Sequence, residues 1–201
     1  MENVSLVLAS QSPRRKDLLS SCFINFTVVE HEFDEESLFE KNPVKLAEKL
    51  AYNKAISIAK KDDFFDKYVL GVDTIVVYKN RIFGKPRSKE EAKELILDLS
   101  NKTHKVISGI ALINTKENIN MVKHCITKVK FGKIDANFLK FYLDNNLWKG
   151  YAGGYAIQSI FALLVEKIEG SYSNVVGLPL ETLYKMLKLI NKNFFYIKES
   201  L

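Results

Sequence analysis

Cysteine is scarce in this sequence, because its 201 residues include only Cys22 and Cys125. The two lie far apart and neither belongs to a CxxC pair, which excludes a disulfide framework and a cysteine-based zinc site. Sparse cysteine is typical of proteins in a reducing compartment, so we expect a cytoplasmic location. A chain of this length buries about 70% of its unfolded surface and needs no disulfides or metal to fold.

Long apolar runs are also missing. No stretch approaches the roughly 18 consecutive apolar residues that indicate a transmembrane helix. The apolar stretch near the N-terminus has about five residues, and arginines follow it instead of preceding it, so we expect no signal peptide.

Several catalytic motifs are absent. The sequence contains no GxxxxGK[ST] phosphate loop, no GxGxxG dinucleotide fingerprint and no GxSxG nucleophile elbow. Its three histidines, His31, His104 and His124, have no paired spacing typical of a metal site, and we expect them to be ordinary strand residues.

Charge points to an anionic partner. The chain has 30 basic and 24 acidic residues, which gives a net charge of +6. This excess leaves a nucleic acid, a membrane surface and a small phosphate open as partners. The lysines are scattered along the chain, whereas a nucleic-acid-binding module would place its charge on one continuous face. With no internal repeat and no low-complexity linker, residues 1–201 are predicted to form one domain.

The apolar period alternates between about two and about 3.6, which is typical of an α/β or α+β protein. Proline or a capping residue marks each of five predicted helix starts, and Lys79–Arg81 and Thr115–Asn118 are predicted hairpin turns. The predicted strands are Val4–Ala9, Phe26–Phe33, Tyr68–Tyr78, Thr103–Ile113, Ile119–Phe131 and Ile157–Ile168. The predicted helices begin at Pro13, Pro43 and Pro179, at the capping box Ser88–Glu91 and after Asp135.

Arg14 and Arg15 are in an unusual position. The chain has only four arginines, and these two fall in the first turn of the helix predicted to begin at Pro13. Cations there are disfavoured by about 0.3–1 kcal/mol each, because the helix dipole is positive at that end. Free backbone amides and two guanidinium groups form an anion site suited to phosphate. The alternative is a solvated helix start whose arginines are in water or paired with acids.

Asp73 interrupts an otherwise apolar run, Val69–Val77, of the kind that forms a buried strand. A buried carboxylate costs several kcal/mol unless it is paired or bound to a metal. Such groups are frequent in active sites, where a bound Mg²⁺ is useful. The alternative is a strand-end aspartate that accepts hydrogen bonds from backbone amides.

Lys54 falls on the apolar stripe of the helix predicted from Pro43. It is predicted either to extend to the edge of that face or to point at a phosphate in a cleft. Lys85 follows a predicted hairpin, and alone it is a weak signal. Glu35 follows the second predicted strand, where a metal ligand and a solvated turn are equally compatible with the sequence.

Together these segments resemble the Maf family of nucleoside triphosphate pyrophosphatases along nearly the whole chain. The first and last of the matching blocks are long and specific. The matching segments are Leu8–Arg15, Asp34–Glu35, Ala51–Ala55, Gly71–Thr74, Gly84–Pro86, Glu91–Ala92, Leu99–Ser100, His104–Val106, Ala152–Gln158 and Gly170–Leu180.

The resemblance implies a two-lobed α/β fold around an extended mixed β-sheet with a central cleft. It also implies an enzyme that hydrolyses an acid anhydride, converting a nucleoside triphosphate to the monophosphate and pyrophosphate with a divalent cation, Mg²⁺ or Mn²⁺. Neither a specific nucleic acid nor a membrane is an expected partner. Members of the family often dimerise, so a homodimer is among the expectations.

The resemblance also assigns roles to single residues. Asp73 matches the family's proton acceptor, and Glu35 matches an acid near the metal, so both are predicted metal ligands. Arg14, Thr74 and Gln158 match positions linked to substrate choice, and Gln158 is similar to the subfamily that acts on dTTP and UTP. Polar residues that match phosphate-facing positions are Ser10, Arg15, Lys54 and Lys85.

One segment departs from the family pattern. Tyr151 and Ser159 stand where the family usually has lysine and glycine, and Lys149 is a candidate for the missing charge. A catalytically weak nucleotide-binding regulator of cell division therefore remains the alternative to an active enzyme. A basic nucleic-acid-binding module is the third hypothesis.

Overall fold

The computed structural model describes residues 4–196, which divide into two compact units. Unit 1 contains residues 4–73, 108–125 and 177–196, and unit 2 contains residues 74–107 and 126–176. A single domain over residues 1–201 stays a prediction. None of the helices in the described part of the chain has the length and apolar character needed to cross a membrane.

The described residues form seven strands and six α-helices. The strands are β1 (Leu6–Leu8), β2 (Phe26–Val28), β3 (Tyr68–Tyr78), β4 (Arg81–Phe83), β5 (Thr103–Asn114), β6 (Ile119–Phe131) and β7 (Val165–Glu169). The α-helices are α1 (Pro13–Ser21), α2 (Pro43–Ala59), α3 (Lys89–Leu99), α4 (Ala136–Asp144), α5 (Tyr172–Val176) and α6 (Leu180–Lys188). Short 3₁₀ helices are Glu35–Ser37, Asp62–Phe64, Ala152–Gly154 and Ile160–Leu164.

The strands form one mixed sheet in the order β2-β1-β3-β5-β6-β7, with β4 paired to β3. β1 pairs in parallel with both β2 and β3, whereas β3–β4 and β6–β7 are antiparallel. This confirms the predicted α/β class with a mixed sheet.

In unit 1 the strands are covered on both faces. Leu8, Leu70 and Leu112 belong to one buried cluster together with residues of α1 and α6, whereas the alternate strand residues belong to a second cluster with α2. Because side chains alternate between the faces of a strand, these two clusters lie on opposite sides of the sheet. Strands buried on both faces contain continuous apolar runs, which is why Asp73 was conspicuous in the sequence.

Helix α2 packs very closely on the sheet. A Cβ added at Gly71 of β3 would overlap the carbonyl oxygen of Ala51 and lie 2.8 Å from the amide nitrogen of Ala55. A Cβ added at Gly109 of β5 would likewise overlap the carbonyl oxygen of Ala47. The contact depends on glycine in the strands and alanine in the helix, and it fixes the position of the helix that contains Lys54.

Unit 2 has an aromatic core. Phe131 of β6 lies 4.8 Å from the ring of Tyr155 and 5.0 Å from the ring of Phe161, measured between ring centroids. Tyr142 of α4 packs against Phe161 at 4.9 Å. Edge-to-face and tilted arrangements of this kind are the favourable ones for aromatic pairs.

The observed helix starts agree with the predictions to within one residue. Asn42 and Asp135 each accept hydrogen bonds from two backbone amides of the first turn, and Ser88 accepts one from Glu91 N. The Glu91 carboxylate in turn accepts a hydrogen bond from Arg87 N. Pro179 is the N-cap of α6, so this helix begins one residue later than predicted.

Three strand predictions are wrong in extent. The segment predicted as a strand from Ile157 is a 3₁₀ helix over Ile160–Leu164, and β7 begins only at Val165. A short apolar run fits a buried helical turn as well as a strand, so period alone could not separate them. β1 and β2 are each three residues long, so they are shorter than the predicted strands Val4–Ala9 and Phe26–Phe33.

Candidate active site

The turn between β1 and α1 is built around Ser10. Its hydroxyl oxygen accepts hydrogen bonds from Ser12 N at 3.2 Å and from Arg15 Nη1 at 2.9 Å. Nε of Arg15 donates to the carbonyl oxygen of Gly177 at 2.9 Å. Arg15 thus joins this turn to the segment that precedes α6, and Ser10, which is buried, is part of that connection.

This geometry bears on the two readings of the arginine pair. The pKa of the Arg15 guanidinium is lowered, mainly by burial. The negative charges of Asp73 and Glu35 oppose this effect in part. Arg15 is half-buried and donates hydrogen bonds to Ser10 and Gly177, so it is not a fully solvated surface cation. Arg14 is half-buried in the same turn, which contains no acidic residue, and the N-cap Ser12 makes no side-chain cap hydrogen bond. These features favour an anion as the partner of the turn.

We expect Arg15→Lys to destabilise unit 1. Lysine keeps the charge, but its single ammonium cannot reproduce the planar fork that reaches both Ser10 and Gly177. Loss of hydrogen bonds from a charged donor lowers the free energy of unfolding by about 1.5–3 kcal/mol. Urea unfolding followed by circular dichroism measures this change. The control is Arg81→Lys, at an exposed ion pair with Asp98, which should change the free energy by less than about 0.5 kcal/mol. Equal effects of the two variants would contradict the prediction.

A second group of charged side chains in unit 1 is centred on Lys54. Nζ of Lys54, on α2, contacts Oδ1 of Asp73 at 2.5 Å and Oε1 of Glu35 at 2.9 Å. Lys54 is 4% exposed and Asp73 is 7% exposed, whereas Glu35 lies on the exposed 3₁₀ turn Glu35–Ser37. One ammonium group thus contacts two carboxylates from different elements.

This cluster bears on the alternatives left open by the sequence. The Lys54 side chain does not extend to the edge of the helix, because its ammonium is buried and paired. Asp73 is paired with a cation and is not a strand-end aspartate satisfied by backbone amides alone. Glu35 contacts Lys54, so it is not simply a solvated turn residue.

His31 is a site residue that the sequence reasoning missed. It was predicted to be a strand residue, but β2 ends at Val28 and His31 follows it, with Nε2 3.7 Å from Oε1 of Glu35. Burial, followed by the positive charge of Lys54, lowers the pKa of His31. His31 and Glu35 are four residues apart, but residues 31–34 are not helical, so this spacing alone could not predict the contact.

The two carboxylates are a suitable donor set for a hard divalent cation. Among residues 4–196, no group of three or more His, Cys, Asp and Glu side chains is arranged as a metal site. Asp73 and Glu35, however, each place an oxygen against the same ammonium atom, so they converge on one point. Mg²⁺ is commonly bound by one or two carboxylates, with substrate phosphates and water as the other ligands.

The remaining predicted residues belong to unit 2. Thr74 follows Asp73 on β3 and is half-buried, whereas Lys85 and Gln158 are exposed. Lys85 lies between β4 and α3, next to Gly84, whose carbonyl oxygen accepts a hydrogen bond from Gly153 N at 2.9 Å. The site roles of these three residues stay predictions.

The segment that contains Gln158 is held from within unit 2. The Tyr155 hydroxyl is hydrogen bonded to Nε2 of His104, a buried residue of β5, at 2.7 Å. Burial lowers the pKa of His104 to about 3, so its ring is neutral near pH 7. Gly153 has φ of 68° and a Cβ there would lie 3.1 Å from the Val76 side chain, so glycine permits both the backbone conformation and the packing.

The departure from the family pattern is local. Tyr151 is half-buried and is the N-cap residue of the 3₁₀ helix Ala152–Gly154, and its carbonyl oxygen accepts from Gly154 N at 3.0 Å. Nζ of Lys149 lies over the Trp148 ring, 5.6 Å from its centroid. Lys149 as a replacement charge therefore stays a prediction.

The geometry of unit 1 thus defines an α/β protein in which one buried lysine contacts two carboxylates and a half-buried arginine is hydrogen bonded to Ser10 and Gly177. Residues 5–190 match the family described as "Maf-like protein". The chain belongs to this family.

Relatives named "dTTP/UTP pyrophosphatase" match almost end to end. The protein from Ruminiclostridium cellulolyticum is 41% identical over 189 residues, covering 94% of this chain and 97% of the relative. The protein from Pyrococcus furiosus is 40% identical over 187 residues, covering 93% and 96%. Among solved structures, a HAM1 protein from Coxiella burnetii aligns with a TM-score of 0.42 and 14% identity over 64% of this chain and 73% of that one.

Proposed function

We propose that this protein is a nucleoside triphosphate pyrophosphatase that converts dTTP and UTP to the monophosphate and pyrophosphate. The observation on which the proposal rests is the buried contact of Lys54 with Asp73 and Glu35, in a chain about 40% identical to relatives with this named activity. The activity also accounts for the positive net charge, since the substrate is a polyanion.

In the proposed reaction the oxygen of a water molecule attacks the α-phosphorus. The bond between the α-phosphorus and the bridging oxygen breaks, and pyrophosphate leaves with that oxygen. Asp73 is the group that accepts the proton of the attacking water, because it matches the family's proton acceptor and β3 holds its carboxylate in a buried position. A divalent cation, Mg²⁺ or Mn²⁺, supplies charge neutralisation for the triphosphate, and Asp73 and Glu35 are the residues that would hold it.

The cationic residues stabilise the negative charge of the phosphates in this proposal. Arg14 is the best-placed candidate in unit 1, because it lies in the first turn of α1 and is only half-buried. Arg15 and Ser10 shape the turn through their mutual hydrogen bond. Charge stabilisation of this kind supplies most of the acceleration in phosphoryl transfer. The corresponding roles of Thr74 and Lys85 rest on the resemblance to the family.

An endpoint assay tests the function. The purified protein is incubated with dTTP, UTP, CTP, dATP, GTP and 7-methyl-GTP in the presence of Mg²⁺ or Mn²⁺, and pyrophosphate is measured separately from phosphate. We expect pyrophosphate and monophosphate from dTTP and UTP and little from the purines. Binding of a triphosphate without product, by a folded protein, would contradict the proposal and support the nucleotide-binding regulator instead.

Gln158 is proposed to recognise the pyrimidine base, since its amide provides both a donor and an acceptor. We expect Gln158→Ala to lower the ratio of kcat/KM for UTP to kcat/KM for GTP by about tenfold, which corresponds to about 1.4 kcal/mol. Because Gln158 is exposed, its loss should leave the melting temperature unchanged. An unchanged ratio in the variant would remove Gln158 from base recognition.

The homodimer and the cytoplasmic location stay predictions of the sequence. Gel filtration with light scattering measures the first directly.

A further inference from the structure

Lys54 differs from the other lysines of its own helix. Its ammonium is buried and contacts two carboxylates, Asp73 at 2.5 Å and Glu35 at 2.9 Å. Lys49, five residues earlier on α2, is paired with Glu40 at 2.6 Å, and its side chain is 50% exposed. A surface pair such as Lys49–Glu40 contributes little to stability. Lys54 and Asp73 are buried, and an unpaired buried charge is costly, so each of these charges needs a partner.

The two carboxylates on Lys54 are the same two that fit a divalent cation. Oxygen ligands approach Mg²⁺ at about 2.0–2.1 Å, which is shorter than their distances to the Lys54 nitrogen. An ammonium and a divalent cation cannot both occupy the point on which these oxygens converge, because the two positive charges repel each other at such short range.

We propose that Lys54 is a built-in competitor of the divalent cation for Asp73 and Glu35. This inference rests on the proposed function and concerns the order in which that site is assembled. Lys54 neutralises the carboxylates until a triphosphate arrives. The phosphates then provide the ammonium with another anionic partner, and the carboxylates become available to the cation that accompanies the nucleotide.

The fold restricts how Lys54 can leave. Helix α2 cannot shift away from the sheet or towards it without breaking the close contacts at Gly71 and Gly109. The ammonium must therefore move by rotation within its own side chain, which has four rotatable bonds, while the helix stays in place.

The test measures binding of Mn²⁺ to the protein in the absence of nucleotide, by electron paramagnetic resonance of the free ion. We expect Lys54→Met to bind Mn²⁺ about tenfold or more tightly than the wild type, because the competing charge is gone and the two carboxylates remain. The matched control is Lys49→Met, which removes a lysine from the same helix and should stay within about twofold of the wild type.

An affinity of Lys54→Met equal to or weaker than that of the wild type, in a variant with native circular dichroism, would overturn the inference. If Lys54→Met does not fold, Lys54→Gln replaces it, since its amide leaves Asp73 a hydrogen-bond donor, and the same outcomes apply. The titration contains no nucleotide, so it is independent of the pyrophosphate assay. A wild type without pyrophosphate release refutes the proposed function, whereas unchanged Mn²⁺ affinity with an active wild type refutes only the competition.

Discussion

Asp73→Asn is expected to reduce the rate of pyrophosphate release from UTP by about 1,000-fold or more, within the range seen when a general base is removed. Asparagine has nearly the same shape, so β3 and its packing should be preserved. The amide cannot accept a proton from water, and it has no charge to pair with Lys54 or to bind a divalent cation. Turnover should therefore be lost while the protein stays folded.

Two measurements separate this effect from a general loss of binding. Calorimetry with UTP in the absence of a divalent cation should give a dissociation constant for Asp73→Asn close to that of the wild type, because the proposed phosphate contacts of Arg14 are untouched. The control is Asp98→Asn, at an exposed carboxylate paired with Arg81, which should retain full activity. Full activity of Asp73→Asn would refute both its role as base and the assignment of the site.

Gly71→Ala should be strongly destabilising. The added methyl group would overlap the carbonyl oxygen of Ala51 and would come too close to the amide nitrogen and Cβ of Ala55. These atoms are backbone atoms or a Cβ of α2, so no side-chain rotation can relieve the overlap. Inserting one carbon into such a contact costs about 1–3 kcal/mol and occasionally more, and we expect the upper end of that range here. Urea unfolding followed by circular dichroism measures the free energy.

The chain offers a matched glycine for comparison. A Cβ at Gly84 would meet nothing within 4 Å, so Gly84→Ala should leave the free energy of unfolding within about 0.5 kcal/mol of the wild type. Gly71→Ala should also lower activity in proportion to the displacement of Lys54, which lies on the same helix. If the two alanine variants were equally stable, the close contact of α2 with β3 would not exist in solution.

The sequence could predict those site residues that violate a local pattern. Asp73 is polar within an apolar strand, and Lys54 is charged within an apolar stripe of a helix, so each was visible without knowledge of the fold. Their contact could not be derived from the pattern, because the register between α2 and β3 is set by the packing of alanine against Gly71. The α/β class followed from the alternation of periods, and the observed sheet confirms it.

Other features had no local signal. The hydrogen bond from Arg15 to Gly177 joins residues 162 positions apart, and nothing near either residue encodes it. The position of His31 beside Glu35 depends on where β2 ends, which is set by the short length of β1. The apolar run that begins at Ile160 forms a 3₁₀ helix although its composition fits a strand equally well.

The Glu35–Ser37 turn has a consequence for motion in the site. Asp73 and Lys54 belong to long elements that are pressed together, and such elements open only with much of the surrounding unit. Glu35 belongs to a single 3₁₀ turn that has no buried residue, and segments of this kind open at little cost in free energy. The site therefore combines the rigidly held pair of Lys54 and Asp73 with the carboxylate of Glu35, whose turn opens more easily. Glu35 is the residue able to follow a ligand as it enters and leaves.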